Sequence, residues 1–218
     1  MAFNFKVKAS ELITAGTSVS TLGATVGSNL QSAYNQIQQM SNIWIGRQFD
    51  HVSEACNKRT ANFNNTIKIL THDLPRSMEQ VAQKYAAADD EVAGSVTFSE
   101  IKTVTDITPK THEPTQIEFD ETQIQSYTEA FAKDIQTAIS NVETLSSKIP
   151  SYWLGVADDA WRAQVAGVQN AIRGSANAVI NSINTQSDQA RLALSGAEEG
   201  NKDLGDSITQ FLDMLNFG

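Results

Sequence analysis

The sequence predicts an all-α protein in which two antiparallel helical hairpins pack as an elongated intramolecular four-helix bundle. Four long apolar stripes with steps of three and four residues predict the helices. A turn pattern that recurs at an offset of 109 residues predicts that the hairpins are copies. A non-helical stretch of 25 residues between them predicts that their turns lie at opposite ends.

Taken in order, the first stripe runs Val19, Leu22, Val26, Leu30, Ala33, Ile37, Met40 and Trp44. After an interruption at residues 41–46, a second runs Phe49, Val52 and Cys56, then Phe63, Ile67, Leu70, Leu74, Met78, Val81 and Tyr85. Pro75 lies inside this second helix, where it removes a backbone donor and crowds the preceding turn. The register continues across it, so a kink is expected there and not an end. A third stripe runs from Ile124 through Phe131, Ile135, Ala138, Val142 and Leu145 to Ile149, closed by Pro150. The fourth runs Trp161, Val165, Val168, Ile172, Ala176, Val179, Ile183, Gln186, Ala190 and Ala193.

The two turns read SNIWIGRQFDHV and PSYWLGVADDAW, which aligns Trp44 with Trp153 and Gly46 with Gly155. Ahead of each hairpin, FNFKVKASEL and TQIEFDETQI give a short alternating stretch followed by a Ser or acidic capping residue. The segment 92–116 carries Gly94, Pro109 and Pro114 as breakers and a Thr/Val-rich middle. A helix of about 30 to 35 residues is roughly 45 to 55 Å long, and 25 extended residues reach roughly 80 Å. Hairpins with both turns at one end would need only a few joining residues, so the long linker fits the antiparallel arrangement. The expected units are a first hairpin at 1–95, an extended linker at 96–114, a second hairpin at 115–205 and a short amphipathic tail at 206–218. In the tail, Ile208, Phe211, Leu212 and Leu215 have helical spacing.

Composition limits the function. Ser, Thr, Asn and Gln together make 70 of the 218 residues and the apolar fraction is 40%, so the core is expected to be thin. The net charge of -9 argues against nucleic acid, which requires a basic face. The excess acid falls in the second half: residues 1–95 are neutral overall and residues 117–218 carry -8. No window approaches the roughly 20 apolar residues of a membrane span, and MAFNFKVK lacks a signal-peptide core. Export, if it occurs, is expected by a route without a cleaved signal. A single cysteine, Cys56, excludes an internal disulfide.

No catalytic constellation is recognisable. His51, His72 and His112 lack the Glu spacing of a di-iron bundle site, and no zinc-protease, phosphate-loop or nucleophile-elbow motif occurs. Cys56 and His51 could be read as nucleophile and base, but Cys56 continues the apolar stripe and is expected to be a buried small hydrophobe. Asp158, Asp159, Glu198 and Glu199 are expected on a solvated face. Gly16, Gly23 and Gly27 are expected to allow close helix contact, with a looser first helix as the alternative. No enzyme activity, cofactor or metal is expected.

Two Trp-Xaa-Gly turns between long amphipathic helices resemble the WXG-motif proteins, the early-secreted-antigen-like substrates of type VII secretion in Gram-positive and mycobacterial cells. The resemblance covers residues 3–95 and 115–205, as a tandem fusion of two members. It implies a helical hairpin for each copy, antiparallel pairing of the hairpins, and a secreted, virulence-associated or carrier role without enzyme activity. The second copy is the better match after its turn, with Ala157, Ala160 and Trp161, whereas the first has Gln48, His51 and Val52. The family export signal, Tyr-Xaa-Xaa-Xaa-Asp or Glu, is matched by Tyr85 and Asp89, which share a helix face. The second copy has Leu194 and Glu198 at the equivalent place and so lacks the Tyr. In the heterodimeric members one subunit brings the signal close to the other's turn, which implies Tyr85 and Asp89 near Trp153 and Gly155. The motif departs from the family in lying mid-chain. The implied partners are the type VII translocase ATPase and the chain's own other half; homodimerisation and membrane interaction are left open. The rival expectations are a cytoplasmic helical adaptor that is not exported and a membrane-active helical effector.

Overall fold

The computed structural model describes the backbone of residues 8–88, 91–113, 116–150 and 156–216, and of these the side chains as far as residue 202 apart from Val156 and Asn201. Among these residues the chain is all-α apart from one two-residue pair of strands. Helix α1 spans Ala9–Met40, and its stripe from Leu12 through Val19, Val26, Leu30 and Ile37 to Met40 is buried. Its outer face is rich in Ser and Thr, which disfavour helix because their hydroxyls compete for the backbone. Here the hydroxyls of Thr14, Ser18, Thr21, Thr25 and Ser28 each donate to the carbonyl four residues back, which keeps that competition inside the helix.

The second helix of the first hairpin is α2 (Arg47–Lys68) continued by α3 (Leu74–Ala88) through a π-helical turn at Ile69–Asp73. This is how Pro75 is accommodated. In a regular helix its ring would crowd the Thr71 carbonyl, which also loses its donor. The wider π turn moves the backbone outward, and the buried Ser20 hydroxyl of α1 donates to the Thr71 carbonyl at 2.6 Å. Gly23 makes this approach possible, since a Cβ there would stand 2.7 Å from the Leu70 carbonyl carbon and 2.8 Å from the Thr71 nitrogen. The glycine therefore serves close contact, and Leu70 and Leu74 stay buried on either side of the distortion.

Helix α4 (Glu121–Thr144) ends in a 3-10 turn at Leu145–Lys148, and α5 spans Val156–Asn216. Asp120 caps α4, accepting from the Gln123 amide at 3.0 Å. The first hairpin departs from the expected cap: the backbone is extended at Lys8 and helical from Ala9, so Ser10 falls inside the first turn and no side chain caps it. Lys8 instead pairs with Glu11 at 2.8 Å. Helix α1 packs most extensively on α4, then on α3, while α5 packs on α2 and α4. The Ser32 hydroxyl donates to Asp134 at 2.7 Å between α1 and α4, and Glu143 accepts from Gln169 and Arg173 between α4 and α5.

Burial along α5 stops at Ala190, and Ala193, expected on the stripe, is exposed. The start of α4 explains this, because Glu121 lines the same cleft as Ser187 and Asp188. Beyond it α5 continues without a break through Gly196 and Gly200 to Asn216, about 39 Å further at 1.5 Å per residue. Residues 206–216 thus belong to the backbone of α5. Among the described residues no helix is long and apolar enough to cross a membrane.

Between α3 and α4 the chain is extended. It leaves α3, lies along α1 and α2–α3, and arrives at the first turn, where the His112 ring meets Asp50 at 3.0 Å. From Thr97, bonded to Thr17, to Thr108, bonded to Gln38, eleven residues cover 21 residues of α1. That is roughly 32 Å, or about 2.9 Å per residue, near the limit of an extended chain.

Candidate functional site

The turn at Trp44 is held by the segment that precedes α4. Trp44 and Ile45 form strand β1, which pairs antiparallel with β2 (Glu118–Phe119), so Trp44 lies opposite Phe119 and Ile45 opposite Glu118. Asp120 extends the contact by donating its N–H to the Ile43 carbonyl. The Trp44 ring is 1% exposed and wedged between Phe49 and Phe119, at centroid distances of 5.8 and 5.6 Å. The alternating stretch ahead of the second hairpin is therefore a strand written to meet the first turn. Gly46 takes a φ of 143°, which side chains resist, and its carbonyl accepts from Phe49 and Asp50 to start α2.

Tyr85 is half-buried at the end of α3, in a cleft of about 310 Å³ shared with Lys8, Ala9, Ser10, Glu91 and Val92. Asp89, Trp153 and Gly155 lie outside the described residues. The residues just before them are described, and Ser147, Lys148, Ile149 and Pro150 line a cleft with Glu11, Thr14, Ala15 and Ser18 of α1. Tyr85 and residues 147–150 thus flank the same three turns at the start of α1.

Cys56 is fully buried, and burial pushes its thiol up to about 12, so it is no activated nucleophile; His51 points to solvent. Burial also raises the Tyr34 hydroxyl, which donates to the Cys56 carbonyl at 2.8 Å and stacks edge-on against Phe63. Of the four carboxylates expected on a solvated face, Asp159, Glu198 and Glu199 are exposed, but Asp158 is 4% exposed. The physical reason is a partner one turn on, the Arg162 guanidinium at 2.9 Å. Among the described residues no group of three His, Cys, Asp or Glu converges as metal ligands.

The feature that sequence reading missed is the groove between α1 and the α2–α3 helix. Asn64 accepts from the Val104 N–H at 2.7 Å and donates to the Val104 carbonyl at 3.0 Å. Asn57 makes the same pair of bonds to Ile107, at 2.7 and 3.0 Å. On the opposite wall, Gln38 accepts from and donates to Thr108, both at 2.9 Å, and Gln31 accepts from Thr105 at 3.2 Å. Val96, Val104 and Ile107 of the linker are themselves buried. Gly16 and Gly27 admit it, since a Cβ there would stand 2.7 Å from Val96 and 3.0 Å from the Lys102 carbonyl. The available signal was the spacing of amides, Gln31 with Gln38 and Asn57 with Asn64, seven apart on neighbouring helices.

No family model, no curated protein and no solved structure matches this chain.

Proposed function

We propose that this chain is a non-enzymatic substrate of a type VII secretion system, a single-chain equivalent of a WXG heterodimer, with a carrier or virulence-associated role after export. Its two hairpins form one intramolecular four-helix bundle with their turns at opposite ends. The observation that carries this reading is the first Trp-Xaa-Gly turn, whose buried Trp44 is completed by Phe119 from the other half. The contacts of α1 with α3 and α4, and of α5 with α2 and α4, support that packing. Fusion replaces a concentration-dependent pair by one with an effective concentration of order millimolar.

By this reading Tyr85, with Asp89 four residues on, is the export signal, and it sits near the approach to the second turn because the two share the start of α1. The chain reaches the medium through the type VII machine, driven by the translocase ATPase. The test is fractionation of the native bacterium with and without that ATPase, with Tyr85→Ala beside the wild type. Appearance in the medium only with a working ATPase, and its loss on Tyr85→Ala, are expected. A chain that stays in the cells of both strains would leave the turns as architecture and favour an intracellular adaptor.

A further inference from the structure

We propose that the groove between α1 and the α2–α3 helix is a binding site for an extended segment of a partner polypeptide, and that residues 96–108 are its resident occupant in cis. The inference rests on the groove alone and is independent of secretion. In an extended residue the N–H and C=O point to the same side, and a carboxamide presents an acceptor and a donor side by side. Asn57, Asn64 and Gln38 each use both to read one residue's main chain.

The two walls are in step. Seven helical residues advance about 10.5 Å, and three residues of an extended chain with a threefold repeat, in which residues three apart share a side, advance about 9 Å. Asn57 and Asn64 are seven apart and read Ile107 and Val104, which are three apart. Gln31 and Gln38 are seven apart and read Thr105 and Thr108, again three apart. One wall alone could be a coincidence of a polar chain; the same register on both is a built site for main chain.

Such a site is tolerant of sequence. It reads N–H and C=O groups, and it buries only Val96, Val104 and Ile107 of the segment, while Phe98 and Ile101 are 37% and 41% exposed. The ligand it fits is therefore an extended polypeptide with β-branched residues three apart and free choice between them. Tethering keeps the resident segment at millimolar effective concentration, so a ligand in trans must displace it.

The test uses the full chain and a fluorescein-labelled peptide with the sequence of residues 94–110. The wild type should bind it weakly, and a chain carrying Val104→Ser and Ile107→Ser, which loosens the resident segment, at least tenfold more tightly. Adding Asn57→Ala and Asn64→Ala should lower that affinity at least tenfold. A peptide keeping only the Val and Ile positions, with Ser, Thr and Ala elsewhere, should bind within threefold of the original. In the wild type, millimolar unlabelled peptide should strip hydrogen-exchange protection from the Val104 and Ile107 amides, a readout that needs no variant. Retained protection, or binding that survives loss of both asparagines, would overturn the proposal. A two-chain complex formed with wild-type chain in place of peptide binding would also overturn it, by giving the groove to a second copy.

Discussion

Replacing Gly23 by Ala sets two effects of opposite sign against each other. Helix propensity alone favours Ala over Gly by about 1 kcal/mol in a helix interior. At Gly23 the new methyl would meet the carbonyl carbon of Leu70 at 2.7 Å and the nitrogen of Thr71 at 2.8 Å, both backbone atoms of the π turn that cannot rotate away. Relief requires α1 to move off that turn, which stretches the 2.6 Å bond from Ser20 to the Thr71 carbonyl. Overpacking of this kind costs about 1 to 3 kcal/mol, and a buried acceptor left without its donor costs about 1 to 3 kcal/mol more. Even after subtracting the propensity gain, Gly23→Ala is expected to destabilise by about 3 kcal/mol, a fall in Tm of roughly 6 to 12 °C for a chain of this size. Gly167 and Gly174 are the control, because a Cβ at either meets nothing within 4 Å on the open face of α5. There the same substitution is expected to stabilise by about 0.5 to 1 kcal/mol. Thermal melts of the three single variants decide it. A Gly23→Ala melt equal to or above the wild type would refute close packing of α1 on the π turn.

Three further outcomes are expected. Trp44→Ala removes a ring buried between Phe49 and Phe119 and should cost about 3 to 5 kcal/mol by chemical denaturation; a loss under 1 kcal/mol would mean that the turn does not depend on its apolar plug. Asp120→Ala removes the cap of α4 and should cost about 1 kcal/mol, measurable in the same experiment, with Asp120→Asn close to neutral. His112 has its pKa raised by its hydrogen bond to Asp50, with a smaller contribution from the Glu113 carbonyl. The protonated ring is thus favoured in the folded chain, and its contribution is fully present below pH 6.5 and fades as pH rises through the raised folded value. Amide exchange around His112, corrected for intrinsic rates, should speed up on going from pH 6 to pH 8, and His112→Ala should abolish the difference.

The helices were legible because their stripes carry the hydrophobic period directly, and Pro75 could be placed inside a helix because Leu70, Leu74 and Met78 keep register across it. The π turn that absorbs it was not legible, since it depends on Ser20 and Gly23, some fifty residues away. The end of the buried stripe was placed at Ala193 and not Ala190 for a similar reason: a period shows which face is apolar but not where the partner helix begins. The linker was identified from its breakers and its reach. What binds it escaped notice because Asn and Gln on a helix read as solvated polar residues until an extended chain is laid beside them. Asp158 reads as one of several acidic neighbours on a solvated face, whereas the structure buries it with its charge met by Arg162. Trp44 stands out in the sequence as a large apolar ring in a turn, but Phe119 is only part of an alternating stretch, since strand pairing across 75 residues leaves no local trace.

The most direct test of one chain supplying both halves of the pair is the mass of the protein by light scattering together with its Tm across a hundredfold range of concentration. Intramolecular pairing predicts a single species of 23.7 kDa whose Tm does not move with concentration. A mass of twice that value with a Tm that climbs as concentration rises would contradict it and assign the pairing of hairpins to two chains.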